Sequence, residues 1–71
     1  MIRNLSEKQT RLAVKIEDWV ERNRPAVATD HYNVEGARKM LAEAIALELP
    51  DIAYFQLLLQ IERHKYGIEV S

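Results

Sequence analysis

The sequence has no cysteine, only two glycines and two prolines, and no long apolar run. Without cysteine, disulfide bonds and thiolate zinc sites are excluded. The scarcity of glycine and proline predicts few turns and long regular elements. No apolar run approaches the roughly 20 residues that a membrane-spanning helix requires, and residues 1–6 lack the apolar stretch of a secretory signal. Since a cysteine-free chain suits a reducing compartment, we expect a cytoplasmic protein.

Charge of either sign is not in excess, because ten lysines and arginines face eleven aspartates and glutamates, for a net charge of −1. Such a balance of positive and negative charge does not indicate binding to a polyanion. The hydrophobic content of 48% is too high for a disordered chain. We predict a single domain over residues 1–71. A chain of about 60 residues buries only about 60% of its unfolded surface, so association with another chain is one route to extra stability.

Start and stop signals predict an all-α fold, a compact three-helix bundle with helices at roughly 7–24, 33–49 and 51–66. Ser6 followed by Gln9 is a capping-box pattern at the start of helix 1. Pro25 and Pro50 end helices 1 and 2. Gly67 follows the basic last turn of helix 3, at the position of a left-handed cap.

Two boundaries stay open at this level. Thr29, Asp30 and Asn33 are all credible N-caps for helix 2. Residues 68–71 either fold back onto the bundle or fray.

Helices 1 and 2 have the apolar spacing of ordinary amphipathic helices. Val14 is the exception in helix 1 and is predicted to face solvent. The pairs Glu7–Arg11 and Asp18–Arg22 have the favourable order for ion pairs four residues apart. The predicted core stripe of helix 1 is Leu12, Ala13, Ile16, Trp19 and Val20. The predicted buried side of helix 2 is Val34, Ala37, Met40, Leu41, Ala44, Ile45 and Leu47.

Helix 3 carries more apolar surface than one core needs. Its apolar arc spans about 220°, whereas a helix on one core needs about 100° or a little more. One explanation is that helix 3 is the central helix and contacts both others. The other is that Ile52, Phe55 and Leu59 face the core while a second apolar face binds a partner, and both can be partly true. We predict these partner-binding residues: Tyr54, Leu57, Leu58 and Ile61.

We find no residue pattern for catalysis or for a metal. His31 and Glu35 have helical spacing, and Glu62 lies two residues before His64, but no two histidines share a face and a metal site needs three or four converging ligands. Thr29 near His31 does not make a positioned triad. The glycines are too far apart for a phosphate-binding loop. We therefore expect no enzyme activity, metal, cofactor or small-molecule substrate.

Three short segments are similar to segments of the θ-subunit family of bacterial DNA polymerase III and run in the same order. They are Met1-Ile2-Arg3-Asn4-Leu5, Tyr32-Asn33 and Ala42-Glu43-Ala44-Ile45 before Pro50. The spacing between the last two differs by about one helical turn. The resemblance implies only that non-catalytic accessory proteins of this size and helicity exist, and no residue role is carried over.

The sequence thus predicts a small non-catalytic protein-binding module, either an accessory or inhibitory subunit or a homo-oligomer, that uses an apolar face of helix 3. The alternative is a small DNA-binding regulator whose basic residues on helix 1 contact phosphate. Nucleic acid is the less favoured partner because acidic residues alternate with these basic ones along helix 1. The basic residues are Lys8, Arg11, Lys15 and Arg22.

Overall fold

A computed structural model describes the backbone of residues 5–70 and the side chains of residues 5–67. Within that range the chain forms three α-helices, α1 (Glu7–Asn23), α2 (Val34–Ala46) and α3 (Asp51–Val70), with a 3-10 turn at Arg24–Ala26. The predicted all-α three-helix bundle is confirmed. Helix α3 packs against both α1 and α2, so it is the central helix, as one of the two explanations for its wide apolar arc required.

The core draws on every helix and on both connections. The largest side chains that are completely shielded from solvent are Ile16 and Leu57. The two buried alanines of α2, Ala37 and Ala44, have no exposed surface, which lets the neighbouring helices approach closely. The buried apolar residues are Leu12, Ile16, Val20, Val27, Tyr32, Ala37, Met40, Ala44, Leu49 and Leu57.

The start of α1 is the predicted capping box. Ser6 Oγ accepts a hydrogen bond from the Gln9 amide at 3.2 Å, and Gln9 Oε1 accepts one from the Ser6 amide at 2.8 Å. The same side chain reaches a distant part of the fold, because Gln9 Nε2 donates to the carbonyl of Leu47 at 2.8 Å. Both predicted ion pairs of α1 are present, and Val14 is exposed as expected.

Asn33 is the N-cap of α2. Its Oδ1 accepts from the amide of Gly36 at 2.9 Å. A Cβ on residue 36 would lie only 2.7 Å from Asn33 Nδ2, so glycine leaves room for the capping side chain. Thr29 instead closes the preceding turn, where its hydroxyl donates to the carbonyl of Ala26 at 2.8 Å and accepts from the His31 amide at 3.2 Å.

Helix α2 ends at Ala46, three residues before the predicted end. Glu48 has a φ of 57°, in the left-handed region. The amide of Leu49 donates to the carbonyl of Ala44, and the amide of Glu48 donates to that of Ile45, each at 3.0 Å. These two bonds define a Schellman cap, with the buried Leu49 side chain beside Ala44. Ile45, inside α2, and Leu47, at its C-cap, are both exposed, and their predicted burial is wrong.

Helix α3 does not end at Gly67. No described glycine has a positive φ, and the helix continues through Gly67 to Val70, so the predicted left-handed cap is wrong. Gly67 lies beside Ala28, where an added Cβ would meet the Ala28 Cα at 3.5 Å, an ordinary van der Waals distance. Residues 68–70 therefore continue the helix, and Ser71 lies outside the described residues.

Candidate interaction surface on the third helix

The side of α3 that faces the bundle contains polar residues as well as apolar ones. Leu57 is completely buried there, and Gln60 beside it is 6% exposed. Gln60 Nε2 donates to the carbonyl of Val20 at 2.7 Å, while Gln60 Oε1 accepts from the Tyr32 hydroxyl at 3.1 Å. One turn further, His64 Nδ1 donates to the carbonyl of Val27 at 3.0 Å. The bond to Val20 connects α3 to α1, and the bonds to Tyr32 and Val27 connect α3 to the segment between α1 and α2.

Three rings, those of Trp19, Tyr32 and His64, pack together at this hydrogen-bond network. Trp19 meets Tyr32 edge to face, with ring centroids 5.4 Å apart, and His64 lies 4.9 Å from the Tyr32 ring on another side. Burial raises the pKa of Tyr32 to about 12. The network and the rings together set the rotation of α3 about its own axis, because turning the helix would break all three bonds of Gln60 and His64.

The four predicted partner-binding residues have different environments. Leu57 belongs to the core, so its predicted role on a partner-binding face is wrong. Tyr54 and Ile61 are half-buried and pack against the core, and Leu58 keeps 37% of its surface exposed. The Tyr54 hydroxyl donates to Asp51 Oδ1 at 3.0 Å, and this hydrogen bond raises the pKa of Tyr54.

The residues predicted to face the core lie instead on the outside. Ile52 is 86% exposed, Phe55 is 50% exposed and Leu59 is half-buried. The two faces are reversed because the prediction assigned the polar arc with Gln60 and His64 to solvent. Both residues have hydrogen-bond partners inside the bundle, and a buried polar group with a partner carries little penalty.

Four apolar residues of α3, three exposed and one half-buried, form one line along the helix, which we call the outer stripe: Ile52, Phe55, Leu59 and Tyr66. Three, four and seven residues separate successive members, and at 100° per residue they fall within about 60° of arc. This is the spacing of a heptad seam, in which Glu62 occupies the one missing position. Tyr66 is 69% exposed. The heptad spacing is visible in the sequence and is the signal that would have found this surface.

The flank of the outer stripe carries opposite charges at its two ends. Asp51, Leu58 and Lys65 follow at intervals of seven residues, so they lie along one side of the stripe. All three side chains are exposed. Asp51 is in the first turn of α3, where a carboxylate is favourable near the positive end of the helix dipole. The flank is therefore acidic at its start and basic toward its end.

Three of the four basic residues of α1 lie around a shallow groove between α1 and α2, and Arg22 lies outside it. The groove is about 390 Å³ and has an apolar floor of Leu12, Ala46 and Leu47. Its rim carries Lys8, Arg11, Lys15 and Glu43. The arginines of α1 and of the turn that follows it are in ion pairs. Arg11 meets Glu7 at 2.6 Å, Arg22 meets Asp18 at 3.1 Å and Arg24 meets Glu21 at 2.7 Å.

Among the described residues, no three His, Asp or Glu side chains converge as metal ligands. None of the described helices has both the length and the apolar content needed to span a bilayer. No protein-family model, curated protein or solved structure matches this chain.

Proposed function

We propose that this chain is a small, non-catalytic protein-binding module, an accessory subunit or a homo-oligomer, that binds through the outer stripe of α3. The observation behind the proposal is that four apolar side chains stand in line on the solvent side of a helix whose opposite side is already packed. Folding of the single chain does not account for them. Their alignment at heptad spacing suits a partner helix.

The exposed apolar surface is large for so small a domain. Fully burying a leucine, isoleucine or phenylalanine side chain is worth about 1.5–3 kcal/mol. Covering the exposed parts of Ile52 and Phe55 alone would therefore contribute about 2–4 kcal/mol. A domain of this length typically has about 4–11 kcal/mol of total stability. The free energy gained when a partner covers these side chains is thus a substantial fraction of the stability of the folded chain.

Two features of the stripe resemble protein interfaces. Phe55 and Tyr66 are two of its four members, and aromatic residues are enriched in such interfaces. Charged residues flank the apolar line, as they do at the rim of an interface. The proposal includes a cytoplasmic location, since a chain without cysteine needs no oxidising compartment.

The DNA-binding alternative has weaker support. Arg11 and Arg22 of α1 are in ion pairs with acidic neighbours, which lowers the positive potential that phosphate contacts require. The groove between α1 and α2 also has Glu43 on its rim.

Site-specific photo-crosslinking in living cells tests the proposal. A photoreactive phenylalanine analogue at position 55 should form adducts of defined mass, whereas the same analogue at position 14 should not. Val14 is the matched control because it is an exposed apolar residue on α1, away from the outer stripe. Equal adduct patterns from the two positions would contradict a binding role for this face.

A further inference from the structure

The outer stripe and its charged flank are complementary to themselves. We infer that the partner of the outer stripe is a second copy of this chain, bound antiparallel through α3. This inference rests on the proposed function. Two features together support this, the heptad spacing and a flank whose charge changes sign along the helix. A second copy of the chain complements both features, so they do not require a partner of different chemistry.

One antiparallel register pairs the two central apolar positions of the outer stripe, Phe55 and Leu59. Placing Phe55 of one copy against Leu59 of the other forms two equivalent central layers, because the two-fold axis repeats the contact. Ile52 then lies opposite Glu62 at each end of the seam. The glutamate weakens the interface, but at the end of the seam its carboxylate can reach water.

The same register pairs the charges. In antiparallel coiled coils, equivalent flanking positions of the two helices face each other. Asp51 of one copy then faces Lys65 of the other, twice by symmetry, and Leu58 faces Leu58 across the axis. In a parallel pair each of these positions faces the other flank of the partner helix, so Asp51 would lie near Gln56 and make no ion pair with Lys65. Only the antiparallel arrangement brings Asp51 against Lys65. The helix dipoles favour the same choice.

The size of the seam predicts a weak dimer. In this register the two helices overlap from Ile52 to Glu62, ten residues or about 15 Å along each helix, and Tyr66 lies beyond the overlap. One helix pair of this length buries less area than a standard interface of about 1,600 Å². We therefore expect a dimer that dissociates on dilution.

Sedimentation equilibrium of the purified chain over a range of concentrations tests the inference. The unmodified chain should approach twice its monomer mass of 8.3 kDa as concentration rises. Phe55→Glu should weaken association at least about tenfold, while Val14→Glu, the same change at an exposed site on α1, should leave it unchanged. Circular dichroism shows whether each variant remains folded. A chain that stays monomeric, or a Phe55→Glu variant that associates normally, would overturn the inference.

Single cysteines test the register, because the natural chain has none. Under mild oxidation Leu58→Cys should crosslink to itself. Asp51→Cys should crosslink when mixed with Lys65→Cys but not by itself. Ile52→Cys would meet its own copy in a parallel pair but lies opposite Glu62 in the antiparallel one, so its efficient self-crosslinking would refute the antiparallel arrangement.

The two proposals fail in different ways. A monomeric purified chain that nevertheless gives adducts with another protein from position 55 would overturn the second-copy inference and leave the binding role standing. A monomeric chain with no adducts specific to position 55 would overturn both. Adducts at twice the chain mass, together with concentration-dependent sedimentation, support both.

Discussion

The rotation of α3 decides which residues are exposed, and Gln60 is the residue through which it can be tested. Gln60→Leu keeps the approximate size of the side chain but removes both hydrogen bonds. The carbonyl of Val20 and the hydroxyl of Tyr32 then lose their partners inside the bundle. Each buried polar group left without a partner costs about 1–3 kcal/mol. Part of this loss is offset by the apolar leucine, so we expect a net loss of about 2 kcal/mol.

The assay is urea unfolding followed by circular dichroism, at a protein concentration low enough to keep the chain monomeric. A loss of 2 kcal/mol corresponds to a decrease of about 1–2 M in the urea concentration at the midpoint, for an m-value of about 1–2 kcal/mol/M. The matched change is Phe55→Gln on the opposite side of the helix. Because only half of that side chain is buried, we expect its replacement to lower monomer stability by about 1 kcal/mol, less than the loss for Gln60→Leu.

The two variants discriminate between orientations of α3. If the wide apolar arc faced the core, Gln60 would be a surface residue and Phe55 a core residue. Gln60→Leu would then have little effect, and Phe55→Gln would be the damaging change. That reversed order would refute the orientation on which the outer stripe depends.

Three further changes test other parts of the fold. Glu48→Gly should raise the free energy of unfolding by about 0.5–1 kcal/mol, because glycine adopts the left-handed conformation at φ 57° without steric cost; a loss in urea unfolding would contradict the Schellman cap. Gly67→Ala should stabilise by up to about 1 kcal/mol, since residue 67 is helical and a Cβ there has space; a lower Tm would instead indicate a left-handed cap. Folding raises the pKa of Tyr32 from 10.0 to about 12, so the stability this provides is complete below pH 10 and is lost as the pH rises toward 12. Circular dichroism of unfolding at each pH should show a smaller loss for Tyr32→Phe, and equal losses in the two proteins would exclude Tyr32 as the cause.

Local signals were enough to predict the helices. The Ser6–Gln9 capping box acts within a few residues of itself, so the sequence contains all that determines the start of α1. The two ends that were predicted wrongly depend on backbone conformation. At the end of α2 a glutamate, Glu48, takes the left-handed position that glycine usually occupies, whereas Gly67 does not take it.

The rotation of α3 could not be read from the sequence, because it depends on contacts between distant residues. The hydrogen bond from Gln60 to Val20 joins residues 40 positions apart, and that from His64 to Val27 joins residues 37 apart. Periodicity alone places polar residues on the solvent side. Two polar residues with backbone partners were enough to reverse the faces of the helix, which is why Leu57 was assigned to a partner and Phe55 to the core.

The side chain of Gln9 links the first turn of α1 to the corner between α2 and α3. Its Oε1 completes the capping box at Ser6, and its Nε2 donates to the carbonyls of Leu47 and Glu48. Fraying of the first turn of α1 therefore also releases the corner from which α3 departs. The two regions should exchange their amide hydrogens together, as one unit of local unfolding. The beginning of the chain thus influences how firmly Ile52, at the start of the outer stripe, is held.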